Sequence, residues 1–181
     1  FSSELSEGLS IALQQAHSGM QTLVTTSGIV GVHVAYLLGA LIERFELGVR
    51  VRVVGQAAKL YERLGYDADT VQPVPEFSHT DEVLDHGIIT IAGPDIPSEG
   101  SSSRLFGVLR DQADGCVVQL IGSGRSPIRT GQCTIHDFRI VNHPESDALE
   151  AVHESVDPQH TVITHTHRGV GNQFDYLNGY M

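Results

Sequence analysis

Four short runs rich in β-branched residues, QTLVTT, VRVRVVG, GIITIAGPD and GCVVQLIGSG, recur along the chain with helical periodicity between them. A strand followed by a helix and then a second strand requires a crossover, and successive crossovers build a parallel sheet with helices on its faces. The helices are legible as well. SELSEGLSIALQQAHSG spaces Leu5, Leu9, Ile11, Leu13 and Ala16 and closes at Gly19, and QAAKLYERLGY closes at Gly65. Between them, SGIVGVHVAYLLGALIERFELG puts Leu37, Leu38, Leu41 and Ile42 on an apolar face, and PSEGSSSRLFGVLRDQ reads as a serine-capped helix. The expected class is α/β, a Rossmann-like parallel sheet flanked by helices. The stretch 67–78, which carries Pro73 and Pro75, reads as a loop.

Beyond Gly124 the pattern changes. RSPIRTGQCTIHDFRIVNH alternates in the manner of antiparallel edge strands, PESDALEAVHESV is helical, and PQHTVITHTH is a strand ending in histidines. The tail RGVGNQFDYLNGYM is glycine- and asparagine-rich without periodicity. The sequence therefore divides into an α/β domain over residues 1–125 and a second piece over 126–181.

Charge narrows the classes of function. Lys and Arg number 11 against 22 Asp and Glu, for a net charge of −11, and Lys59 is the only lysine. Such a surface stays hydrated in concentrated salt, where repulsion among carboxylates is screened within about 3 Å at 1 M. A salt-loving cytoplasm is the expected setting. A generic nucleic-acid-coating role is disfavoured, so any RNA contact must be local. With 40% hydrophobic residues and no apolar run of membrane-spanning length, the chain reads as a soluble protein that does not enter a membrane. Two cysteines, Cys116 and Cys133, are too few for a disulfide framework and fit a reduced, cytoplasmic compartment. A homodimer is left open.

Chemistry concentrates near the C-terminus. Of 10 histidines, five fall between 143 and 167. Side chains alternate along a strand, so His165 and His167 share a face, a plausible arrangement for metal or acid–base work, though edge strands also carry histidines to solvent.

The segment NHPESDALEAVHESVDPQHTVITHTH resembles the closing segment of metallo-β-lactamase nucleases that carry a β-CASP insertion, the family of RNase J enzymes and mRNA 3′-end endonucleases. His143, Asp147, Leu149, Pro158 and His165 fall in the places that pattern requires. The upstream strands and helices from about residue 20 onward are similar to the insertion itself. The resemblance implies a β-CASP domain followed by a short return segment of the metallo-β-lactamase αββα fold. It also implies a two-zinc centre with His165 as a metal ligand and His143 as proton donor to the leaving oxygen. RNA is the implied partner.

Most of that metal cage is expected from an HxHxDH loop in a region N-terminal to this segment, and no such motif occurs in the 181 residues. Gly31-Val32 stands where the family has a glycine–arginine pair, Asn142 precedes His143 where glycine is usual, and Thr166 follows His165 likewise. The resemblance thus implies part of a larger nuclease, active only when that region completes it. A lone imidazole holds zinc poorly, since zinc sites use three or four protein ligands.

Phosphate handling is the other candidate. Ser101, Ser102 and Ser103 with Arg104 open a helix, where hydroxyls and unpaired amides suit an anion, though N-capping by the same serines is the plainer reading. Gly122-Ser123-Gly124, with Arg125, Arg129 and Arg139, adds possible cations, and Ser27-Gly28 with Gly31 resembles a phosphate loop only loosely. A non-catalytic RNA- or protein-binding module of the same fold, and an unrelated Rossmann-like ligand-binding domain, remain the alternatives.

Overall fold

The computed structural model describes residues 3–123, 125–140 and 154–155. Contacts divide the chain into two units, Phe1–Ile140 and Val141–Met181, and nearly all described residues belong to the first. His143, His165 and His167 lie outside the described residues, as does the return segment around them.

The first unit begins with α1 (Ser3–His17) and β1 (Gln21–Thr25), followed by α2 (Gly28–Arg44), β2 (Arg50–Val54) and α3 (Gln56–Arg63). It continues through β3 (Val71–Val74), a single 3-10 turn (Thr80–Glu82), β4 (Ile88–Ala92), α4 (Gly100–Leu109), β5 (Gly115–Ile121) and β6 (Thr134–Arg139). The six strands form one sheet in the order β3-β2-β4-β1-β5-β6, and every neighbouring pair is parallel. The α/β expectation is met.

Alternation along the strands supplies two cores. Val24, Val53, Ile91 and Val118 face α1, α2 and α3, through residues such as Leu9, Leu38 and Ala58. Leu23, Val54 and Val117 face the other way, against Leu105, Phe106 and Leu109 of α4 and against Phe77, Val83 and Leu84. Both faces are covered, which is why the central strands read as unbroken apolar runs. The core residues of both layers are almost entirely removed from water.

Two strands differ from the sequence reading. β3 lies inside the stretch read as a loop, with Pro73 opposite Val53 in the ladder. Proline has no N–H to give, but among the described residues β3 is an edge strand with β2 as its only neighbour, so one ladder edge needs no donor. β6 was expected to run antiparallel, and instead it pairs parallel with β5, from Cys116↔Thr134 to Ile121↔Arg139. Period-two alternation marks a half-covered strand but carries no direction. Direction is set by the connection, and residues 122–133 supply the dozen or so that a parallel return needs.

That connection is pinned at two points. The buried Gln119 side chain donates from Nε2 to the Ile128 carbonyl (2.7 Å) and accepts from the Ile128 amide (3.0 Å), imitating one rung of a ladder. Arg129 grips Asp137 with two parallel bonds of 3.0 Å each.

Candidate anion cleft at the carboxyl edge of the sheet

β1 hands on to α2 on one face of the sheet, whereas β4, its neighbour, hands on to α4 on the other. Crossovers that run in opposite directions must leave by opposite faces, and the crevice between two such strands is where open α/β sheets take ligands. A cleft of about 380 Å³ lies at this point, lined by Ser27, Gly28, Gln56, Ala57, Gly93, Pro94, Gly100 and Ser101. Each element delivers its residues through the turn just after a strand or at the start of a helix.

The helix starts lack side-chain caps. Ser27, Gly55 and Glu99 occupy the N-cap positions of α2, α3 and α4, and none of them makes a side-chain capping bond. First-turn amides with no capping side chain, together with the positive end of each helix, suit an anion. None of the eight lining residues carries a charge, in a chain whose net charge is −11. Close approach is built in: Gly55 has φ +65, and a Cβ there would sit 2.6 Å from the Ser101 Oγ. Gly100, at φ +64, brings α4 against the Gly93 carbonyl.

Of the serines and the arginine singled out in the sequence, Ser101 lies in the cleft. Ser102 is fully buried, with its amide bonded to the Gly93 carbonyl (3.0 Å) and its hydroxyl directed at the Glu99 carbonyl (3.4 Å). Ser103 is half-buried in the same first turn. The cap itself is Glu99, so the serines begin the helix rather than cap it. Arg104 stacks on the Phe77 ring at 4.5 Å and donates to the Phe77 and Ser78 carbonyls, tying α4 to the segment across the second core.

The glycine-serine turn after β5 is also spoken for. Gly122 and Ser123 donate their amides to Asp95 Oδ2 (3.1 and 3.0 Å), while Oδ1 accepts from Ile96 (3.0 Å). Asp95 is buried, and these donors hold the turn after β4 against the turn after β5. Arg125 reaches Ser98 Oγ (2.6 Å) and Glu99 (3.7 Å), and Arg139 donates to the Ser123 carbonyl (2.8 Å). Gly31 serves packing, with a virtual Cβ only 3.2 Å from that of Ala57.

Gln56, Gly93 and Pro94 were not anticipated. Their signal was present in the Gly-Pro that ends the third strand run and in the glycine–glutamine step between the second strand and its helix, neither of which the sequence reading singled out.

Chemically the cleft can hold and orient. Among the described residues its lining contains no carboxylate, imidazole, thiol or amine, and Ser101 has no base there to activate it. Among the described residues no group of three or more His, Cys, Asp or Glu side chains could hold a metal ion, so they offer zinc no ligand set of their own. No family model matches the chain, and none of the curated proteins matches it.

Proposed function

We propose that the α/β unit is the RNA-holding lobe of a zinc-dependent ribonuclease or mRNA 3′-end processing factor of the metallo-β-lactamase/β-CASP kind. The chain hydrolyses RNA phosphodiesters only when a metallo-β-lactamase region N-terminal to this segment in the parent chain completes it. The supporting observation is the uncharged cleft at the strand switch point, where three helices open without side-chain caps. A phosphodiester oxygen there accepts first-turn amides and the Ser101 hydroxyl, and no acid or base in the cleft competes with chemistry delivered from the other lobe. In this reading His165 contributes one zinc ligand and His143 the proton for the leaving oxygen, both as the resemblance implies. A cytoplasmic setting accords with two free, buried cysteines and with the absence, among the described residues, of any helix long and apolar enough to cross a membrane.

A second reading, a small-ligand domain of Rossmann-like form, shares the same cleft, because switch-point crevices also hold nucleotides. Fluorescence anisotropy with a labelled RNA 10-mer (roughly the length of one groove's contact), competed by a mononucleotide, separates the two. RNA is expected to bind the full chain, to weaken about three- to tenfold on Ser101→Ala, and to remain uncleaved with or without added zinc. A mononucleotide that binds as tightly as the RNA would favour the second reading, and tight stoichiometric zinc in the purified chain would contradict the incomplete metal centre.

A further inference from the structure

A second groove, of about 400 Å³, lies along the start of β2 and β3, lined by Arg50, Arg52, Asp69, Gln72 and neighbouring backbone. It is remote from the cleft: Arg50 opens β2 and Gln56 follows its far end, a separation of roughly 20 Å at the rise of a strand. Val51 and Val53 point into the first core, so Arg50 and Arg52 both point to the opposite face, where Gln72 stands directly across the ladder from Arg52.

We propose that this groove binds a single phosphate group carried by a small molecule. Cations are outnumbered two to one in this acidic chain, and several are neutralised: Arg110, Arg125 and Arg129 each lie within 4.0 Å of a carboxylate, as does Lys59. Arg50 and Arg52 make no ion pair among the described residues, although they are two positions apart on one strand face. Arg52 Nε donates to the neutral Gln72 Oε1 (3.4 Å), which orients the guanidinium without neutralising it, and its Nη1 is buried with no acceptor. Two arginines on one strand face and lining one groove offer several N–H donors to the oxygens of a phosphate.

Asp69 gives the groove its selectivity. Its carboxylate lines the same space but pairs with neither arginine. A carboxylate in the groove disfavours a continuous polyanion, whose several phosphates would meet it, more than a ligand with one phosphate.

The test is a titration of the full chain with inorganic phosphate at low ionic strength, followed by amide NMR shifts, with potassium chloride at matched ionic strength as the control. Shifts at residues 50–52 and 69–73 are expected with phosphate and not with chloride. Arg50→Gln and Arg52→Gln each weaken binding about tenfold or more, Asp69→Asn strengthens it, and Ser101→Ala leaves it unchanged. The spectrum of each variant reports its fold, and Arg50→Gln, at an exposed strand start, keeps the test alive if Arg52→Gln unfolds. Equal shifts with chloride, binding that survives both arginine substitutions, or shifts confined to the cleft would overturn the site. A short RNA that binds here more tightly than phosphate would overturn its assignment to a small molecule.

Discussion

Gly55 shows how a single residue without a side chain sets the shape of the cleft. Its φ of +65 and ψ of −132 belong to a region essentially closed to residues with a Cβ, and its absent side chain is what lets Ser101 approach α3. Gly55→Ala is therefore expected to cost about 2–3 kcal/mol, part from backbone strain and part from the contact with the Ser101 hydroxyl. Urea unfolding of the single and double variants separates the parts: Ser101→Ala in the Gly55→Ala background should restore the steric share and leave the conformational one. Full additivity of the two substitutions would mean that the close approach is not there. The sequence marked Ser101 as one of three equivalent serines, because SSS has no internal asymmetry. Only the packing of α4 decides that Ser102 turns into the core and Ser101 toward the cleft. Likewise nothing local to Asp95, at the end of the third strand run, points to its partners Gly122 and Ser123, which are far away in the chain.

At the scale of elements, local periodicity revealed every helix of the described unit and the strands with cover on both faces. Its failures have two physical sources. β3 was hidden because proline is a strand breaker everywhere except at an edge, and whether a strand is an edge is decided by the whole sheet. The direction of β6 was hidden because it is set by the connection, whose course is pinned by Gln119 to Ile128 and Arg129 to Asp137, contacts that strand periodicity does not encode. The second fastening is acid-sensitive. The bond from Arg129 holds the Asp137 carboxyl below its ordinary value, against the smaller opposing effect of burial. A carboxylate whose folded value is depressed adds stability above the ordinary range near 3.8, and that stability is lost as pH falls through the depressed value. Arg129 is largely exposed, so solvent screening keeps the contribution small. Asp137→Asn should leave the fold intact, lower stability slightly at neutral pH, and flatten the loss of stability between about pH 5 and 3. Urea midpoints measured across that range check it, and an acid limb as steep as that of the parent protein would show that the pair is not formed.

For the whole molecule, 22 acidic side chains stand against 11 basic ones, and the ion pairs among the described residues are few. The ion pairs of the described unit are mostly exposed, such as Lys59–Glu76 and Arg110–Asp111, and pairs of that kind contribute at most about 1 kcal/mol each. Salt weakens those attractions and the unpaired repulsions together, so the sign of its effect on stability shows which dominates. With a Debye length of about 10 Å at 0.1 M and about 3 Å at 1 M, repulsion across the surface is still felt at the lower concentration and almost gone at the higher. The unfolded chain spreads the same charges farther apart, so screening relieves the folded state more. The thermal midpoint is therefore expected to rise steadily as potassium chloride increases from about 0.1 to 2 M, with potassium chloride used so that the gain reflects screening rather than the water-structuring effect of sulfate or phosphate. Scanning calorimetry at fixed pH reads this directly. A midpoint that is flat or falls over that range would mean that the ion pairs outweigh the excess charge, and it would remove the argument for a salt-rich cytoplasm while leaving the cleft and its chemistry untouched.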